Sequence, residues 1–287
     1  MGYKAAALAA MLLLGACGEG EEVIPRSTSI ATSFDGNLIT YETRGRGDTA
    51  LVFIHCWACN RDFWREQLPY FEGDYKVIAL DLPGHGSSGA QRADWTIEAF
   101  GQDVKAVLDD QKVENAILIG HSMGGPISLA AAKYLDDRVK GIICVDSLHN
   151  LERITPASTM APFIEAMEKD YRAMMTNMSD AMFPKGGDAE IKAYVLEEAL
   201  GADQASVIAV MSDFADLDLT VLAREAKAPI RCINAAPLPP AIPETTIETN
   251  QKYADFDAVL MEGVGHYLHL EKPDAFNTQL TEIIEQF

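Results

Sequence analysis

The segment that decides the fold is Ala116-Ile117-Leu118-Ile119-Gly120-His121-Ser122-Met123-Gly124-Gly125. An apolar run, Ala116–Ile119, reads as a buried strand, and helical period follows from Met123 to Leu135. Gly120-His121-Ser122-Met123-Gly124 fits G-x-S-x-G between them. Glycines on both sides of a serine let the chain turn sharply from strand to helix and push the hydroxyl outward. A serine at this junction also serves as an ordinary helix cap. The strand before and the helix after favour the nucleophile.

Working outward, the same rhythm repeats. Residues 28–44 alternate apolar and polar around Asp35-Gly36-Asn37, a hairpin signature. Leu51–Ile54 and Lys76–Leu82 read as buried strands, with a helix expected over Phe63–Phe71 and another over Thr96–Leu108. Gly141–Val145, Ile230–Asn234 and Phe256–Met261 complete the strands, and Pro273–Phe287 closes as a helix. Strands alternating with helices imply an α/β fold: a mostly parallel sheet with helices on both faces. The rhythm stops after Asp146. Residues 147–228 show short helical patterns, no convincing strand, and seven of the 11 methionines. Those methionines read either as core packing or as an adaptable apolar wall over a ligand.

A serine hydroxyl needs a base within hydrogen-bond reach. Of six histidines, His266 lies in Gly263-Val264-Gly265-His266, just past the last strand, where a loop returns to the sheet's C-terminal edge. His269 reads as a packing residue.

His55 after the first buried strand, Asp81-Leu82-Pro83-Gly84-His85-Gly86-Ser87-Ser88, the turn at Ser122, and Gly265-His266 together resemble an α/β-hydrolase of the esterase, lipase and meta-cleavage-hydrolase type, from about residue 28 to 287. The resemblance implies a core formed by residues 28–146 and 229–287, with 147–228 as an inserted helical cap. It implies a serine hydrolase that acts through an acyl-enzyme on a small or medium ester, with a lactone, thioester, amide or C–C bond as neighbouring targets. Ser122 would be the nucleophile, His266 the base, and the backbone N–H groups of Trp57 and Met123 the oxyanion hole. Asp81 is expected to order the loop at Gly84–Gly86. No cofactor is expected, since no ligand cluster beyond one C-x-x-C and no G-x-G-x-x-G are present.

Two departures from the resemblance matter. The family usually reads His-Gly-x after the first buried strand; here it is His55-Cys56-Trp57, within Cys56-Trp57-Ala58-Cys59. Cys56 is expected to carry the backbone strain that a glycine would absorb. The pair Cys56/Cys59 reads as free thiols or a short local disulfide rather than a redox centre. The family's usual acid after the strand Ile230–Asn234 is also missing: the loop reads Ala235-Ala236-Pro237-Leu238-Pro239-Pro240. Asp146, at the end of Ile143-Cys144-Val145, is the favoured replacement. Glu244 and a dyad without an acid stay open. These gaps keep a second class alive, a non-catalytic ligand-binding lipoprotein on a hydrolase scaffold.

The chain has 287 residues, 43 acidic against 23 basic, for a formal charge of -20. That surplus excludes nucleic acid as a partner, because phosphate binding needs clustered Lys and Arg. At the N-terminus, Lys4 precedes an apolar run, Ala5–Leu14, too short to span a bilayer. Leu14-Gly15-Ala16-Cys17 resembles the lipobox of bacterial lipoproteins. That resemblance implies a signal peptide over 1–16, lipidation of Cys17, and an acidic linker over 17–27. It places the protein in the bacterial cell envelope on the periplasmic face, held by its lipid anchor, with the outer membrane favoured by Gly18.

Overall fold

The computed structural model describes residues 26–239 and 241–287; the expected signal peptide, Cys17 and the expected linker up to residue 25 lie outside them. Eight strands form one sheet in the order β1-β2-β4-β3-β5-β6-β7-β8. β1 (Arg26–Thr32) and β2 (Leu38–Arg44) make the expected antiparallel hairpin, and β2 also pairs antiparallel with β4 (Lys76–Leu80). β1 begins at Arg26, opposite Arg44, two residues ahead of the expected boundary. All remaining pairings are parallel, through β3 (Thr49–Ile54), β5 (Asn115–His121), β6 (Val139–Val145), β7 (Ile230–Ala235) and β8 (Phe256–Met261).

The central strands read as continuous apolar runs because both faces are covered. On β3, Val52 and Ile54 enter one core cluster while Leu51 and Phe53 enter the other. β5 divides the same way, Ala116 and Leu118 against Ile117 and Ile119. The first cluster is closed by α2 (Ile97–Asp110) and α3 (Gly124–Leu135), the second by α1 (Leu68–Phe71) and a C-terminal helix reaching Ile284. Each fully buried Leu, Ile or Phe contributes about 1.5–3 kcal/mol relative to exposure.

Five helices separate β6 from β7: α4 (Ala157–Lys169), α5 (Tyr171–Ala181), α6 (Ala189–Gly201), α7 (Gln204–Val210) and α8 (Leu219–Ala226). Asp170, Asp188, Asp203 and Asp218 cap the N-termini of α5 to α8, each accepting from a backbone N–H of the first turn. Part of the acid surplus is therefore helix punctuation, each cap contributing about 1 kcal/mol. α9 (Ile247–Asn250), α10 (Leu268–Glu271) and α11 (Pro273–Ile284) complete the helices.

Two sequence expectations change. Phe63–Phe71 is not one helix but a 3-10 turn, Arg61–Trp64, followed by the single turn of α1. Pro69 has no N–H to donate to Arg65 O one turn back, so the helical hydrogen-bond ladder does not run through from the first turn to the second. β4 stops at Leu80 rather than Leu82: the Asp81 amide still reaches β2, but the Leu82 amide leaves the ladder. Asp81 N–H donates to Thr40 O (2.8 Å) and Leu82 N–H to His55 Nε2 (2.9 Å).

Candidate active site

Ser122 sits between the last residue of β5 and the start of α3 with φ 52°. A side chain in that left-handed region costs on the order of 1–3 kcal/mol and persists only where the surroundings fix it. The sequence supplies the fixing. A Cβ at Gly120 would lie 2.1 Å from Gly124 O, and one at Gly124 would lie 2.4 Å from Ile54 O. Strand, turn and helix can approach this closely only because both positions lack a side chain. Ser122 N–H donates to Val145 O (2.9 Å), and Ser122 O accepts from Ser147 Oγ (2.7 Å).

Asp146 repeats the pattern on the neighbouring strand. It directly follows β6, with φ 43°, and is only 3% exposed. Its amide donates to Ile233 O (2.9 Å), its Oδ1 accepts from Ala235 N–H (2.9 Å), and its Oδ2 lies 2.5 Å from His266 Nδ1. Glu244 is exposed and has no bond to His266. On the far side of Asp146, His149 Nε2 is 3.5 Å from Oδ1, and burial holds the His149 ring below its ordinary pKa. The sequence reading missed this second histidine.

His266 is placed by three bonds. Its amide donates to Met182 O (2.8 Å), its carbonyl meets His121 Nε2 (2.8 Å), and Glu271 accepts from the preceding Gly265 N–H at 2.9 and 3.1 Å. Burial raises the Glu271 pKa. Only an acid six residues downstream of the loop marks this anchor in the sequence.

The loop after β3 is pinned from both ends. Leu82 N–H donates to His55 Nε2, so His55 carries its proton on Nδ1 and donates it to Cys56 O (2.7 Å). Burial pushes the His55 pKa down to about 4, which keeps the ring neutral. Cys56 O and Trp57 N–H belong to one planar trans peptide and point in opposite directions. Fixing the carbonyl therefore aims the amide. Among the described residues, neither Trp57 N–H nor Met123 N–H has an intramolecular acceptor. Trp57 Nε1 is tied to Val207 O (2.7 Å). Cys56 and Cys59 form a disulfide, one of the two expected states. The strain expected at Cys56 falls instead on Ala58, φ 56°. Asp81 accepts from Arg61 N–H and Ser87 N–H, both at 2.8 Å, and pairs with the Arg61 guanidinium, which ties the Gly84–Gly86 loop down.

Ser122, His266, Trp57 and Cys56 line one cavity with Tyr267 and with residues of the helical insertion: Met175, Met178, Ser179, Met182, Val195 and Ala199. The methionines of the insertion divide between the two readings. Met178 and Met182 face this cavity, Met167 and Met211 are buried in the core, and Met175 belongs to both. Beneath it, His121 and His269 meet edge to face with ring centres 4.6 Å apart, and the His269 ring centre lies 4.6 Å from that of Trp64. Burial drives the His269 pKa to about 3 and that of His121 well below its usual value.

This architecture is the α/β-hydrolase fold. Residues 49–187 match the family model for that fold. Among solved structures, the bromoperoxidase of Bacillus anthracis superposes with a TM-score of 0.79 at 20% identity, covering 90% of this chain and all of that one. Among curated proteins, the chain is 23% identical over 256 residues to 3-oxoadipate enol-lactonase 2 of Acinetobacter baylyi, covering 87% of this chain and 94% of the relative. It is 34% identical over 111 residues to the dihydrolipoyllysine-residue acetyltransferase component of the acetoin cleaving system of Cupriavidus necator. That match spans 39% of this chain and only 30% of the longer protein.

Proposed function

We propose that the protein is a serine hydrolase that cleaves a small or medium ester, or a related acyl bond, through Ser122, His266 and Asp146. The observation that carries this reading is the Asp146 Oδ2–His266 Nδ1 contact of 2.5 Å opening onto the cavity that Ser122 shares. The carboxylate holds the proton on Nδ1 and leaves the Nε2 lone pair to receive the serine proton. Ser122 Oγ then attacks the substrate carbonyl carbon. Charge develops on the carbonyl oxygen, which accepts from Trp57 N–H and Met123 N–H. His266 returns its proton to the leaving alcohol as the carbon–oxygen bond breaks, and an acyl-serine remains. Water, deprotonated by His266, attacks that acyl group; as the bond from the acyl carbon to Ser122 Oγ breaks, His266 returns the proton to Oγ and the acid departs. The enol-lactonase likeness supports a cyclic or open ester as the bond cleaved. Fluorophosphonate labelling tests the reading. Labelling is expected, and Ser122→Ala should abolish it together with ester turnover. A folded wild-type protein that does not label overturns the proposal.

We also propose that the chain is exported and anchored in the bacterial envelope by lipid on Cys17, facing the periplasm. The sequence Leu14-Gly15-Ala16-Cys17 supports this. Metabolic labelling with an alkynyl fatty acid should mark the wild type and not Cys17→Ala. Equal labelling of both sinks the anchor.

A further inference from the structure

The cavity over Ser122 restricts what it can receive more than the fold does. We infer that the substrate is short and uncharged, an ester or lactone without a free carboxylate; this rests on the serine-hydrolase reading above. The first observation is size. The cavity is about 40 Å³ for a water-sized molecule, room for roughly three waters at about 10–15 Å³ each. The second is chemistry. The insertion contributes Met175, Met178, Met182, Val195 and Ala199, with Ser179 as its one hydroxyl, and no Lys, Arg, Asp or Glu lines the space.

Two cations stand near the insertion's aromatic residues but are engaged elsewhere. Lys192 lies over the Phe183 ring at 5.5 Å and Arg65 over the Tyr194 ring at 4.3 Å, and neither lines the cavity. His266, the one imidazole in the lining, already faces the Asp146 carboxylate. A substrate carboxylate placed there would lose its hydration and gain no counter-charge, which is strongly unfavourable. It would also meet the field of Asp146 and of a chain with formal charge -20. A neutral short acyl group loses little hydration and fills the space against thioethers. A longer neutral chain fits only if the methionines rotate aside, which their flexible side chains permit at some cost.

Ethyl butyrate and monoethyl succinate have acyl chains of equal length and differ by one carboxylate; ethyl octanoate extends the neutral series. Initial rates by pH-stat at pH 7.5 with the full chain should give kcat/KM for monoethyl succinate about 100-fold below ethyl butyrate. Ethyl octanoate should also fall below ethyl butyrate. Met178→Arg places a cation on the wall and should raise the succinate-to-butyrate ratio. The wild-type comparison stands alone if that variant does not fold. Monoethyl succinate within threefold of ethyl butyrate, or ethyl octanoate faster than ethyl butyrate, overturns the inference. Fluorophosphonate labelling of the same preparation separates the two failures. Protein that labels but takes monoethyl succinate, or none of the esters, overturns this inference alone. Protein that neither labels nor hydrolyses overturns the hydrolase reading beneath it.

Discussion

The two halves of the site are built from different materials. The sheet edge supplies Ser122, Asp146 and the loop of His266, each held by backbone hydrogen bonds, with Ser122 and Asp146 both at positive φ on adjacent strands. The insertion supplies a wall of Met175, Met178, Met182 and Val195, broken by a single hydroxyl at Ser179. One half stores strain and fixes directions, while the other fills space and can refill it. On the proposed serine-hydrolase reading, the difference assigns bond-making geometry to the strand ends and choice of substrate to the helices. Perturbing the first should change kcat by orders of magnitude. Perturbing the second should change KM and preference by small factors.

Asp146→Asn tests the first claim at its strongest point. The amide is isosteric but can leave His266 in the wrong tautomer, and kcat should fall about 10⁴-fold with KM nearly unchanged. A fall under tenfold would move the orienting role away from the strand end, to Glu244 or to no acid at all. Next in size is the Cys56–Cys59 disulfide, which closes a loop of four residues around the Trp57 peptide. Loss of an oxyanion donor costs about 10²–10³ in rate. Reduction only loosens the loop, since His55 still holds Cys56 O. Treatment with a dithiol should therefore lower kcat about tenfold and stability by about 2 kcal/mol, the loop-closure value for so short a ring. Cys59→Ser should match the reduced wild type and be indifferent to the dithiol. An unchanged kcat after verified reduction would mean that His55 alone aims the amide.

What could be read from the sequence follows the same division. The strand ends were legible because each needs a particular residue type. Gly120 and Gly124 are required by backbone contact, and Asp146 stands at the tip of the apolar strand that pairs with the one leading to Ser122. The breaks in the wall were not legible. Nothing in a run of methionines says which of Met174 and Met175 faces a cavity, because helical packing decides it. Neither was the role of His55, whose tautomer depends on Leu82, 27 residues away. Glu271 and His149 were missed for the same reason, as each acts through a contact that local pattern does not encode.

The buried histidines extend the comparison from rate to stability. His55 (about 4), His85 (about 3) and His269 (about 3) are pushed below the ordinary 6.5 by burial, and all belong to the core rather than to the insertion. The unfolded chain binds protons at these rings below pH 6.5 and the folded chain does not. Folding stability therefore falls as pH drops from about 6.5 toward 3, by roughly 3 kcal/mol for His55 alone. Urea midpoints at pH 7 and pH 5 should show the loss. His269→Phe, which keeps a ring against Trp64 and removes the titration, should reduce it. An identical pH dependence in that variant would place the acid sensitivity elsewhere.

The smallest effect belongs to the wall itself. Met178→Leu keeps the volume and removes one rotatable bond and the thioether, a swap that usually costs under about 1.5 kcal/mol. If the wall selects by adaptable packing, kcat for ethyl butyrate should stay within about twofold, since no strand-end bond is touched. The penalty for ethyl octanoate should grow about threefold, because a stiffer side chain turns aside less readily to admit the longer chain. A wall that acts as a fixed template would give the opposite pattern, with both esters slowed alike. That outcome would erase the distinction between the two halves, because it would show that the helices, too, hold one geometry.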